Sequence, residues 1–128
     1  MSAVLTWPAP AAENDSVDLV KRAKTYLKVL RARREHFGED VAALMRDPAY
    51  ELLLDLYVAR RSGKPVHVTS AAMASGVPLT TGLRILDQLI QAGAVLRMDD
   101  PHDRRRRLIA LADRMVALIE RHLSALNL

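Results

Sequence analysis

The sequence contains no cysteine, which removes disulfides, thiol nucleophiles, thiol redox sensing and cysteine-ligated zinc together. Aromatic side chains are nearly missing too: Trp7, Tyr26, Phe37, Tyr50 and Tyr57 are all that 128 residues provide. A core so poor in rings is filled by Leu, Val, Ile, Ala and Met, which favours helix packed on helix. The same scarcity argues against a stacking platform for single-stranded nucleic acid. His36, His67, His102 and His122 are far apart and lack ligand-like spacing, so neither a metal nor a cofactor is expected. No apolar run approaches the ~18 residues of a membrane span, and no charged lead opens into an apolar segment; the expectation is a cytoplasmic protein without a membrane partner. There is no acid/base pair at catalytic spacing, no Gly-rich phosphate loop and no nucleophile motif, so no enzyme is expected.

What is present is charge in places. The net charge of +4 and pI near 9.8 fit an anionic partner without demanding one. Residues 17–37 hold seven basic side chains (Lys21, Arg22, Lys24, Lys28, Arg31, Arg33, Arg34) against the acids Asp18 and Glu35, and residues 104–107 are four consecutive arginines.

The stretch Val68–Gly93 reads as two helices around a turn at Ser75-Gly76-Val77. Thr69 or Ser70 is placed to cap the first helix, and Gly76 to supply the positive φ of a tight turn. Pro78 opens the second helix, where a missing N–H costs nothing. Leu83, Leu86 and Ile90, with Ile85 and Leu89, are expected inside; Thr80, Thr81, Arg84 and Gln88 are left outside. Alone, this pattern fits a DNA-reading helix-turn-helix and a plain αα-hairpin equally.

The flanks carry further information. Residues 1–16 read as a flexible lead-in with Trp7 its one anchor candidate. Ser16 or Asp15 can cap a helix from Val17 to Gly38, striped by Val17, Val20, Ala23, Leu27 and Leu30. Its basic side is open to two readings, a solvated face or one lying near DNA phosphates. Asp40–Met45 suggests a short helical connector. Asp47-Pro48 starts a helix apolar around most of its girth, stopped by Gly63 and Pro65. Val66-His67-Val68 is a brief extended link able to pair with a later strand. Ala94–Met98 and Arg104–Leu111 are two strands around the polar turn 99–103. Asp113 can cap the last helix, whose apolar surface is wide for so small a domain. That surplus either forms a dimer interface with the first helix (Val20, Leu27, Leu30, Leu118, Ile119, Leu123) or closes the monomer's own core.

The order helix, central helix, helix-turn-helix, basic hairpin, helix, together with Leu89-Ile-Gln-Ala-Gly93-Ala-Val95, Arg97 and Asp100-Pro-His-Asp103-Arg104-Arg105-Arg106-Arg107-Leu108-Ile-Ala-Leu111, resembles the MarR family of bacterial transcriptional regulators. The resemblance covers residues 48–113. The strand end reads Leu111-Ala112-Asp113 where the family has Leu-Thr, Met115 stands where a Gly is usual, and one short helix replaces the family's longer C-terminal pair. The implied fold is mainly α with a small β-hairpin: a winged helix-turn-helix at 39–112 between an N-terminal dimerisation helix at 17–38 and a C-terminal one at 113–128. The resemblance implies that Thr80, Thr81 and Arg84 face the major groove. It also implies that Asp103 organises the wing by pairing with an arginine, while Arg104 or Arg105, with Arg106 beside them, reaches the minor groove or its phosphates. The implied partners are double-stranded DNA, a second copy of the chain, and an unidentified small-molecule effector. The competing expectation is a winged-helix adaptor that binds an acidic protein through residues 17–37 and reads no DNA.

Overall fold

The computed structural model describes residues 14–126; Trp7 and the lead-in up to residue 13 lie outside them. The first helix, α1 (Asn14–His36), begins three residues before the expected Val17. Asp15 and Ser16 therefore fall within its first turn instead of preceding it. Gly38, at φ +78°, separates it from the short α2 (Glu39–Leu44).

The central helix α3 (Pro48–Ser62) starts as its sequence suggests: Asp47 accepts the Tyr50 N–H at 3.4 Å, and Pro48 opens the first turn. Gly63 closes it in the left-handed conformation, with the next N–H, of Lys64, returning to the Ala59 carbonyl at 3.0 Å. Leu52, Leu54, Leu56 and Tyr57 are all buried, so this helix is covered on nearly every side. Tyr57 donates to Glu120 at 2.8 Å, and Arg61 grips the same carboxylate oxygen at 2.6 Å. Burial, followed by the adjacent carboxylate, pushes the Tyr57 phenol up to about 12.

The strand β1 (Val66–His67) runs directly into α4 (Val68–Ala74), and a four-residue turn leads to α5 (Leu79–Gln91). Because the strand feeds the helix without a break, Thr69 and Ser70 lie inside α4, and the residue ahead of it is His67, whose side chain makes no capping bond. The expected cap at Ser70 is therefore not made. The strands β2 (Val95–Asp100) and β3 (Asp103–Leu111) form the hairpin. The strands run longer than expected and the turn shrinks to Pro101-His102, since Asp99 pairs across with Arg107 and Asp100 with Asp103. The antiparallel sheet has the order β1-β3-β2, with Val66 opposite Ile109 and Val95 opposite Leu111. The last helix, α6 (Asp113–Ala125), is preceded by Ala112 rather than capped by Asp113; that carboxylate bonds Arg60 of α3 instead.

The terminal helices are used first by their own chain. Leu27, Ile119 and Leu123 are buried in the same core cluster as Leu52, Leu56 and Tyr57, so their expected place at a dimer interface is corrected. The cause is the seating of α1 on α3 and α6, which Arg22 reinforces by donating to the Leu123 carbonyl at 2.9 Å. Val20 and Leu30 are half-buried against that core, and of the six expected contacts only Leu118 is exposed, at 44%.

Two tests follow from this packing. Leu123→Ala should cost about 2–5 kcal/mol through the cavity it leaves, and the loss of thermal stability should be the same at every protein concentration. Between pH 10 and about 12 an unfolded chain ionises Tyr57 while the folded chain does not. Stability should therefore fall as pH rises through that window, and denaturant titrations of Tyr57→Phe should show a shallower fall.

Candidate nucleic-acid interface

Helix α5 is fixed by close contact with α4. Gly82 is buried where the two helices meet, and a Cβ there would stand 2.7 Å from the Ala72 carbonyl oxygen. This contact decides which line of α5 faces inward: Gly82 and Leu86 sit at its centre, with Ile85, Leu89 and Ile90 half-buried at the sides. Thr80, Arg84 and Gln88 fall on the outer surface and are exposed, whereas Thr81 is half-buried. Leu83 departs from expectation. One helical step of about 100° from Gly82 carries it out of the core, and it is 36% exposed.

The turn before α5 is backed by a buried ion pair. Glu51 of α3 is only 3% exposed, and a single Arg34 guanidinium nitrogen lies 2.9 and 2.8 Å from its two oxygens. The same nitrogen approaches the Ser75 carbonyl at 3.4 Å. Burial pushes the Glu51 carboxyl upward, opposed by Arg34 and Arg31. Gly76 has φ +76°, as expected, and has a second reason to be glycine: a Cβ there would meet the Arg34 guanidinium at 2.5 Å.

Arg34 is one of four basic side chains of α1 with structural partners. Arg22 serves α6, Arg31 pairs with Asp55 at 2.6 Å, and Arg33 donates to the Met45 carbonyl at 3.2 Å. Lys21, Lys24 and Lys28 remain exposed.

In the hairpin, Arg104, Arg105, Arg106 and Arg107 are all exposed. Asp103 accepts the Arg105 backbone N–H at 3.0 Å and its Nε at 3.3 Å, and lies 3.5 Å from the Arg106 Nε. Arg107 faces Asp99 at 3.1 Å. Among the described residues, neither Arg104 nor Arg84 has an acidic partner. Asp100 shapes the turn by accepting the His102 N–H at 2.8 Å, and its other oxygen meets His67 Nε2 at 3.1 Å. These bonds, the backbone one first, hold its carboxyl below the usual range. Through His67 the wing tip is tied to the start of α4. A cleft of about 410 Å³ between them is lined by His67, Thr69, Ser70, Arg105, Arg106 and Arg107.

Sequence reasoning identified the polar line of α5 and the arginine wing but missed three residues beside or behind that line. Leu79 and Asp87 are exposed on α5 with Leu83, four residues to either side of it. The role of Arg34 left no local signal, because its partners lie 17 and 41 residues away.

No protein-family model matches the chain, and no curated protein matches it. Among solved structures it is similar to a mutant MarR from E. coli, with 19% identity and a TM-score of 0.50 over 84% of this chain and 74% of that one. A mutant MarR from E. coli complexed with operator DNA gives 19% identity and a TM-score of 0.47, over 85% of this chain and 65% of that one. The chain has the fold of MarR, a winged helix with helical extensions.

Gly76→Ala and Gly82→Ala should each destabilise the protein by about 1–3 kcal/mol in denaturant titrations, the first through positive φ and displacement of Arg34, the second through overpacking against backbone. For Gly82 the gain of about 1 kcal/mol in helix propensity should not offset the clash.

Proposed function

We propose that this protein is a sequence-specific regulator of transcription that binds double-stranded DNA as a homodimer on an inverted-repeat operator. The observation that carries the reading is the exposed line Thr80–Arg84–Gln88 on a helix braced from behind, with an arginine wing on the same chain. Arg84, without an acidic partner among the described residues, is available for a bidentate contact to guanine O6/N7, and Thr80 and Gln88 for neighbouring base edges. Half-buried Thr81 is assigned to the edge of this surface. The wing arginines neutralise phosphates and release counterions, which supplies affinity for any sequence. Asp103 orients Arg105 and Arg106 for that contact.

The homodimer is assigned to the outer side of α6. Leu118 is exposed there, beside an apolar cleft of about 320 Å³ lined by Tyr50, Leu53, Met115 and His122. Two copies would place their reading helices about one DNA turn apart, ~34–36 Å. Such a regulator works in the bacterial cytoplasm and has no catalytic role. The adaptor reading is weaker, because Arg22, Arg31, Arg33 and Arg34 are engaged within the chain and offer an acidic partner little.

Selection of bound duplexes from a random pool tests the reading: a palindromic motif is expected, and absence of any enriched sequence would overturn it. On the selected site, Arg84→Ala should cost about 1–3 kcal/mol and relax preference at one base pair. Arg104→Ala or Arg105→Ala should weaken binding to all sequences alike and lower the salt slope by about one. Binding isotherms across a salt series separate the two behaviours.

A further inference from the structure

Helix α5 carries two parallel exposed lines, each with a spacing of four residues. Thr80, Arg84 and Gln88 form the polar one. Leu79, Leu83 and Asp87 form the other, with the leucines 42% and 36% exposed. Neither leucine belongs to the core or to the partly buried side chains packed on it. Asp87, at the far end of the second line, accepts from Gln91 at 2.8 Å. The apolar part of the line is thus confined to the first half of α5, directly beside Thr80 and Arg84.

An apolar pair set directly beside Thr80 and Arg84 on the same helix suits one component of a polyanion. On the major-groove edges of duplex DNA the apolar group is the C5-methyl of thymine, and the bases on either side of it present donors and acceptors. An apolar protein groove would use the leucines but would leave Arg84, one residue from Leu83 and without an acidic partner among the described residues, unmatched. Arg84 beside the patch, with Asp87 turned to Gln91 at its far end, therefore favours DNA over a protein as its occupant.

We propose that Leu83, supported by Leu79, packs on the 5-methyl group of a thymine next to the guanine read by Arg84, so that each half-site carries a required thymine. This rests on the DNA-binding reading above and deepens it by naming a second base and the chemistry that recognises it. Adenine, guanine and cytosine have no methyl to offer at that point. Discrimination would arise from apolar burial at one position and from hydrogen bonding at its neighbour.

The test uses the full chain and the duplex selected from a random pool, with each thymine replaced singly by deoxyuridine, which keeps the base pair and removes only the methyl. One thymine per half-site, adjacent to the guanine that Arg84→Ala relaxes, should show about three- to fivefold weaker binding to wild-type protein when its methyl is removed. Leu83→Ala should bind both versions of that duplex equally. The wild-type scan needs no variant, so its result stands even if Leu83→Ala folds poorly. The thymine contact is overturned if no deoxyuridine substitution weakens wild-type binding, or if Leu83→Ala stays as sensitive as wild type. It is also overturned if the scan is flat while Leu83→Ala shifts the monomer–dimer equilibrium, which would give the leucines to a second copy. In those cases an enriched motif still supports the regulator. Failure to enrich any sequence removes the regulator reading and this inference together.

Discussion

A carboxylate with almost no access to water is costly unless a cation stands beside it, and Glu51 is such a group. Its partner Arg34 comes from α1, while Glu51 belongs to α3 and the third contact, the Ser75 carbonyl, lies in the turn before α5. One guanidinium nitrogen thus joins α1, α3 and the turn before α5 at a single point. Breaking a buried pair of this kind by removing one partner typically costs about 3–5 kcal/mol, because a charge is left in the interior. The orientation of α5 therefore depends on a side chain more than forty residues earlier. Gly76 completes the arrangement by leaving room for the guanidinium.

This contact also gives the first helix a purpose that its composition conceals. A run of seven basic residues suggests a surface for an anion, yet Arg22, Arg31, Arg33 and Arg34 satisfy carbonyls and carboxylates of the same chain. Arginine suits such positions because its planar group can meet several acceptors while its stem packs on apolar neighbours. Lysine occupies the exposed positions 21, 24 and 28. Along α1 the arginines are the half-buried cations with partners in the chain, and the lysines the exposed ones.

Much of the architecture was legible in the sequence where a single residue enforces the local geometry. Gly63, Gly76 and Gly93 have positive φ at the ends of helices, Pro48 and Pro78 mark helix starts, and the Asp/Pro-rich turn separates two strands. The pairing of Val66 and His67 with β3 could be anticipated from their extended character. What was not legible depended on partners remote in sequence. Asp113 is a plausible cap until Arg60 draws its carboxylate, and Ser70 until β1 runs unbroken into α4. Leu83 resembles its buried neighbours by type, and the rotation that exposes it is set by Ala72 pressing on Gly82. Leu27 on α1 and Ile119 and Leu123 on α6 would serve an interface or a core equally by type, and only the seating of α1 against α3 and α6 distinguishes the two.

The central strand of the sheet divides into two halves. Its last four residues, Leu108–Leu111, are buried, whereas Arg104–Arg107 are exposed. At about 3.3 Å per residue the exposed half projects some 13 Å from its fixed end, so β3 behaves as a beam clamped in the hydrophobic interior and tied again near its tip, where Asp100, opposite Asp103, bonds His67. A tilt of about 5° at the clamp would move the tip by about 1 Å over that length, enough to lengthen an ionic hydrogen bond beyond its useful range. Side chains that never approach the surface, such as Ile109 opposite Val66 of β1, thereby set the reach of the arginines as firmly as the arginines do themselves.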